Sequence, residues 1–191
     1  MLAIDRDTWD LHSDFREPLA TVLKRFNRAT GLDLRVYESW RSPLRQAAEY
    51  ELGRTKVGPR PSHDRPMGGC VTWALPWHSL HQWGCAADLV FWVNGAWTWE
   101  EPKKGVYAEL HTIAKEEGLT PLYNRKGQLI ETGHIQLAGV TADDLLAGCY
   151  YDTTDEWARQ LTEYIQAWQQ AGHKDVPHLP VMRPEALAEA S

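Results

Sequence analysis

Residues 85–93 (CAADLVFWV) are the most restrictive feature of this sequence, because the run is apolar at every position except Asp88. An apolar run of this length, followed by the hairpin signal Asn94-Gly95, predicts a strand that is covered on both faces. An ionised carboxylate is costly to bury unless a cation or several hydrogen-bond donors lie beside it. Asp88 therefore requires a cation or several donors, and the simplest interpretation is a structural ion pair with an arginine; a metal ion is the functional alternative.

Hydrophobic periodicity and turn residues divide the rest of the chain into helices and short strands. We expect helices over residues 13–30, 43–52, 104–117 and 154–171, and strands over residues 32–39, 85–93, 119–123 and 129–137. Residues 54–80 contain seven glycines and prolines without a sustained period, which predicts a long loop of functional importance. The pattern predicts an α+β fold with a small, mostly antiparallel central sheet and flanking helices.

The length of 191 residues predicts one globular unit, with a domain over residues 1–150 and a C-terminal helix and proline-containing tail over residues 151–191 packed on the same domain. The net charge of −6 without a basic run argues against nucleic acid or anionic lipid as the main partner. Three widely spaced cysteines do not suggest a disulfide scaffold. Residues 1–30 lack the features of a signal peptide, and no stretch is long enough to span a membrane. We expect a monomer that is synthesised in the cytoplasm.

Two histidines and one glutamate near Asp88 favour the metal-ion interpretation. His81 lies just before the strand, and imidazole nitrogens and carboxylate oxygens are both normal zinc ligands. His134 offers a third ligand, with Glu131 three residues before it. Side chains three positions apart point to opposite faces of a regular strand. Glu131 and His134 can therefore share a site only if the chain bends between them, and Gly133 facilitates such a bend. Two histidines and one carboxylate leave a position for water, and an unligated Glu131 would serve as the general base.

These residues form two motifs that resemble a known family. Residues 79–88 (SLHQWGCAAD) have the form Ser-x-His-x-x-Gly-x-Ala-x-Asp, and residues 131–134 (ETGH) have the form Glu-x-x-His. Together they resemble the zinc D-Ala-D-Ala carboxypeptidase and dipeptidase family of peptidoglycan peptidases, which also contains phage L-alanyl-D-glutamate endopeptidases. Residues 39–58 are similar to the family's upstream element, and residues 71–79 resemble the segment that leads into the zinc motif of the endolysin-like branch.

The resemblance implies a hedgehog- and D-Ala-D-Ala-peptidase-like fold and one zinc ion per chain. It makes His81, Asp88 and His134 the zinc ligands. Glu131 would deprotonate the zinc-bound water, and Arg41 would steady the scissile carbonyl as it becomes an oxyanion. Ser79 and Gln46 are candidates for binding substrate or supporting the site. The other six histidines are interpreted as surface or satisfied core residues: His12, His63, His78, His111, His173 and His178.

The implied activity is hydrolysis of a peptidoglycan stem peptide at the L-Ala-D-Glu bond. A phage or prophage endolysin of this kind would reach the cell wall after holin-type release. Residues 121–123 and Ile135 depart from the pattern of many endolysin-type members, so hydrolysis at D-Ala-D-Ala remains the nearer alternative. A non-catalytic, zinc-stabilised wall-binding module is an alternative from another class, and Glu131 counts against it because a binding site needs no base.

Overall fold

The computed structural model describes residues 3–58, 67–148, 155–175 and 177. Its helices are α1 (Ser13–Thr30), α2 (Pro43–Glu51), α3 (Val106–Glu116), α4 (Ala142–Leu146) and α5 (Asp155–Gln170), with a 3₁₀ helix at Leu80–Trp83. Its strands are β1 (Leu34–Glu38), β2 (Ala86–Val93), β3 (Ala96–Thr98), β4 (Leu119–Tyr123) and β5 (Leu129–Leu137). The strands pair antiparallel in the order β1-β2-β5-β4, and β3 pairs with β2. The predicted α+β fold with an antiparallel sheet is therefore confirmed.

The chain forms two compact units, of which the first comprises Met1–Arg41 and Trp83–Val140 and contains the whole sheet, α1 and α3. Its core joins the apolar stripe of α1 to the sheet and α3, and includes Phe26, Leu89, Phe91 and Leu110. Side chains alternate between the two faces of a strand. Because Leu89 and Phe91 belong to the core, Asp88 lies on the opposite face of β2.

The second unit comprises Ser42–Gln82 and Thr141–Ser191, with α2, α4 and α5. Helix α5 packs against α2. In its predicted apolar stripe, residues 157, 161, 165 and 168 are buried and Tyr164 is half-buried. The ring of Trp77, from the long loop, packs edge-on against Trp168 with a centroid distance of 6.4 Å. The predicted division at residue 150 stays a prediction. Most of the proline-containing tail, like residues 59–66 of the predicted loop, lies outside the described residues.

Two short helices, α4 and the 3₁₀ helix, lie outside the four predicted helical ranges. Helix α4 has five residues and is capped by Thr141, whose side chain accepts a hydrogen bond from the backbone N–H of Asp144. Neither helix is long enough to show an apolar period, which is why periodicity does not detect them. In the described ranges, no helix combines the length and the apolar character needed to cross a membrane.

Candidate metal centre

Asp88 and His134 lie directly opposite each other on the neighbouring strands β2 and β5. Residues paired in this way in an antiparallel sheet project their side chains from the same face. The Nδ1 atom of His134 is 3.1 Å from Oδ1 of Asp88, and both side chains are buried. The other ring nitrogen, Nε2, lies 3.1 Å from Oε1 of Gln136, which follows two residues later on β5. The sheet thus brings together two of the three predicted ligands.

The predicted bend between Glu131 and His134 is a bulge in β5. Pro121 of β4 pairs with Ile135, whereas the next residue, Leu122, pairs with Glu131. Three residues of β5 therefore stand between consecutive rungs of the ladder, which re-aims the side chains in the middle of the strand. A Cβ atom on Gly133 would lie 2.5 Å from the carbonyl oxygen of Leu89. The glycine is required because β2 approaches so closely.

Helix α3 contacts this bulge through the side chain of His111. His111 Nε2 lies 2.8 Å from the carbonyl oxygen of Thr132, and burial lowers the pKa of His111. Burial, followed by the charges of Glu101 and Glu131, raises the pKa of Tyr107 to about 12. Glu131 itself is exposed. The contact of His111 with the bulge was missed, because only the pairing of distant segments creates it.

Arg41 lies beside Asp88 in a buried cluster of charges. Its Nη2 atom donates to Oδ2 of Asp88 over 3.0 Å, and its Nε atom donates to Oε2 of Glu38 over 2.9 Å. Nη2 also donates to Oε2 of Glu38. Asp88 thus contacts an arginine, the partner considered for a structural ion pair, through one carboxylate oxygen and a histidine through the other. No sequence pattern singles out Glu38.

His81 lies in the 3₁₀ helix of the second unit and is buried. Ser79 stabilises the start of this helix, because its Oγ atom accepts the backbone N–H of His81 over 3.4 Å. The backbone N–H of Ser79 donates in turn to Oε1 of Gln82 over 3.1 Å. These contacts give Ser79 a local role in supporting the segment that carries His81, and substrate binding by Ser79 stays a prediction.

Gln46 on α2 also supports this segment from within the second unit. Its buried side chain donates through Nε2 to the carbonyl oxygen of Ala74 over 2.7 Å and to Oγ1 of Thr72 over 3.1 Å. Its Oε1 atom accepts a hydrogen bond from Nε2 of Gln82 over 3.1 Å. Gln46 therefore links the loop around residues 72–74 to the 3₁₀ helix, and its contact with substrate likewise stays a prediction.

The three predicted ligands, His81 in the second unit and Asp88 and His134 in the first, are all buried. Two imidazoles and one carboxylate are ligands that zinc takes in catalytic sites. Burial of the Asp88 carboxylate is costly, and a divalent cation would offset that cost more fully than hydrogen bonds alone. The chemistry of these residues therefore fits a zinc ion.

No protein-family model matches this sequence, and a search of curated proteins gives no match. Among solved structures, the chain is similar to the vancomycin-resistance D,D-dipeptidase VanXYg in complex with a D-Ala-D-Ala phosphinate analogue (20% identity, TM-score 0.45). The match covers 84% of this chain and 60% of the dipeptidase, so the chain spans less than two thirds of that protein's length.

Two further solved structures show a similar degree of likeness. One is the L-Ala D-Glu endopeptidase ChiX of Serratia marcescens, with 23% identity, a TM-score of 0.44, and coverage of 69% of this chain and 83% of that one. The other is a variant of the D,D-pentapeptidase VanY from a VanB-type resistance cassette in complex with Zn(II), with 19% identity and a TM-score of 0.46. That match covers 81% of this chain and 83% of the pentapeptidase. At these low values the likeness alone assigns no activity to this chain.

Proposed function

We propose that this protein is a zinc-dependent peptidase that hydrolyses the L-Ala-D-Glu bond of a bacterial peptidoglycan stem peptide, in the manner of a phage or prophage endolysin. The observation that supports this most directly is the buried pairing of Asp88 with His134 on neighbouring strands, with Arg41 beside Asp88. The sequence motif adds His81 as the third ligand of one zinc ion per chain. The bond assignment comes from the resemblance of residues 71–88 to the endolysin-like branch.

The proposed reaction uses two further side chains of the first unit. When bound, zinc supplies a Lewis acid that polarises a carbonyl group and makes water more acidic. Glu131 takes a proton from the attacking water and later delivers it to the leaving amine, as a general base and then a general acid. Arg41 places a guanidinium group where negative charge develops on the scissile carbonyl oxygen. The exposed position of Glu131 leaves it accessible to a substrate from solvent.

The decisive experiment is mass spectrometry of muropeptides after digestion of purified peptidoglycan. Cleavage at L-Ala-D-Glu gives peptides with a new D-Glu amino terminus, whereas a carboxypeptidase releases only a terminal D-Ala. Retention on peptidoglycan without any cleavage would instead favour a zinc-stabilised binding module.

A glutamate substitution tests the proposed mechanism within the same assay. We expect Glu131→Gln to keep the zinc and to lower kcat by about 10²–10⁴-fold, because the proton acceptor is lost. Glu109→Gln is a matched control, since Glu109 is an exposed glutamate on α3. Full activity of the Glu131→Gln protein would rule out the proposed base.

The proposed route to the wall is release from the cytoplasm by a holin-type pore, as for the endolysins that the motifs resemble. Cells that express the protein should remain intact until their membrane is permeabilised, and should then lyse rapidly. Lysis without permeabilisation would contradict this route.

A further inference from the structure

Three polar side chains stand in one row across neighbouring strands of the sheet. Glu38 of β1 is the partner of Asp88 on β2, and Asp88 is the partner of His134 on β5. Partners of this kind share one face of the sheet, so Glu38 and Asp88 place two carboxylates side by side. Both are buried, and the guanidinium group of Arg41 donates hydrogen bonds to each of them.

A local irregularity of β1 creates this arrangement. The pairs Leu34–Phe91 and Val36–Leu89 follow a regular register, which would place Tyr37 opposite Asp88, but the register shifts and Glu38 takes that position. Tyr37 instead packs its ring against Trp97 and Trp99, with centroid distances of 5.3 Å to each. Bulges of this type re-aim side chains beside functional sites. The extra residue in β1 therefore exchanges an aromatic ring for a carboxylate next to Asp88.

A second buried carboxylate is not needed for an ion pair between Arg41 and Asp88. Two charges suffice for such a pair, and each additional buried charge adds a desolvation cost. Glu38 and Asp88 instead make different contacts with Arg41. Glu38 accepts from both Nε and Nη2 of Arg41, which holds the guanidinium plane, while Oδ2 of Asp88 accepts from Nη2. Oδ1 of Asp88 is directed towards His134.

We infer that Glu38 is a positioning residue that acts through Arg41: it fixes the guanidinium group so that Arg41 orients the Asp88 carboxylate for the metal ion. The inference rests on the proposed zinc site. Residues that hold a metal ligand in this way commonly change metal affinity when they are substituted, although they do not touch the ion.

The test is the zinc dissociation constant, measured by competition with a chromophoric chelator, together with kcat and KM. We expect Glu38→Gln to remain folded, to bind zinc about 10-fold or more weakly and to lower kcat. Asp33→Asn is the control, because Asp33 forms an exposed ion pair with Arg35 at the start of the same strand. An unchanged zinc affinity in Glu38→Gln would overturn the inference. The zinc dissociation constant tests the role of Glu38 independently of catalysis. If the wild-type protein binds zinc but cleaves no bond, only the proposed function is overturned.

A double-mutant cycle separates positioning from a merely structural role. If Glu38 acts by orienting the planar guanidinium group, Glu38→Gln should reduce zinc affinity less in an Arg41→Lys background than in the wild type. Lysine has no guanidinium plane to orient. A loss of equal size in both backgrounds would refute action through Arg41. Should Glu38→Gln not fold, Glu38→Asp replaces it: this variant keeps the charge but shortens the reach, so an unchanged zinc affinity again overturns the inference.

Discussion

Two arginines of the first unit each bind two carboxylates, but in opposite surroundings. Arg41 contacts Glu38 and Asp88, and its side chain is 11% exposed against 3% and 8% for these partners. Arg25 of α1 contacts Glu116 and Glu117 at the end of α3, where the exposed fractions are 41%, 54% and 26%. The same chemical grouping therefore occurs once in the interior and once at the surface.

The comparison shows that burial decides what such a cluster can do. Exposed ion pairs are screened by water and salt and contribute little to stability. Buried charges interact strongly, and removal of one partner leaves an uncompensated charge. The surface cluster of Arg25 can link two helices, whereas the cluster of Arg41 can hold Asp88, a proposed zinc ligand, in one orientation.

The largest expected effect comes from removing a predicted ligand next to the buried cluster. His134→Ala should weaken zinc binding by more than about 100-fold, which exceeds the usual loss for residues that only support a ligand. Metal analysis of the purified protein measures this. His173→Ala is the control, because His173 is exposed and stacks on Trp168 in the second unit. Equal zinc content in both variants would remove His134 from the site.

The next effect separates the two arginines by catalysis. Arg41→Lys should lower kcat by about 10²–10³-fold, because lysine keeps the charge but loses the planar fork that meets two carboxylates. Arg25→Lys should leave kcat and KM unchanged. Steady-state kinetics on a stem-peptide substrate provide the test, and equal losses in the two variants would erase the functional difference between the clusters.

Salt should separate the two clusters by stability. Arg41→Gln leaves two buried carboxylates and should cost about 3–5 kcal/mol at any ionic strength. Arg25→Gln should cause a small loss that disappears when NaCl is raised from about 0.1 to 1 M, since the Debye length falls from about 10 to 3 Å. Thermal unfolding followed by circular dichroism measures both. If the loss of stability in Arg41→Gln depended on salt, water would have access to the buried cluster.

The smallest expected effect is the pH dependence of a third, exposed pair. The hydrogen bond from Arg35 lowers the pKa of Asp33 below its usual value. A carboxyl group with a lowered pKa in the folded chain stabilises that chain above its unfolded pKa of about 3.9, and this contribution is lost as the pH falls through the folded value. Asp33→Asn should thus be slightly less stable than the wild type at pH 7, and the difference should shrink in acid. If the difference in stability between the two proteins grew as the pH fell, the predicted direction of the pH dependence would be wrong.

Local patterns predicted most of the secondary structure. Strands β4 and β5 have the predicted bounds, and α1 begins at Ser13 and ends at Thr30 before Gly31, whose φ of 70° suits a helix terminus. These signals are local, since apolar periodicity and terminating glycines act within a few residues. The same reasoning located the bend at Gly133, but it could not show that the close approach of Leu89 requires the glycine.

The sequence by itself determined which groups are available to the candidate site: a lone carboxylate in an apolar strand, histidines at the spacing of a known zinc motif, and a glutamate three residues before His134. Only the tertiary structure showed that Asp88 and His134 are opposite partners and that Glu38 and Arg41 complete the cluster. The physical reason is strand register, because a shift of one residue changes which side chain faces the neighbouring strand. The bulge at Tyr37 is such a shift, and it depends on how β1 pairs with a strand that lies about fifty residues further along the chain.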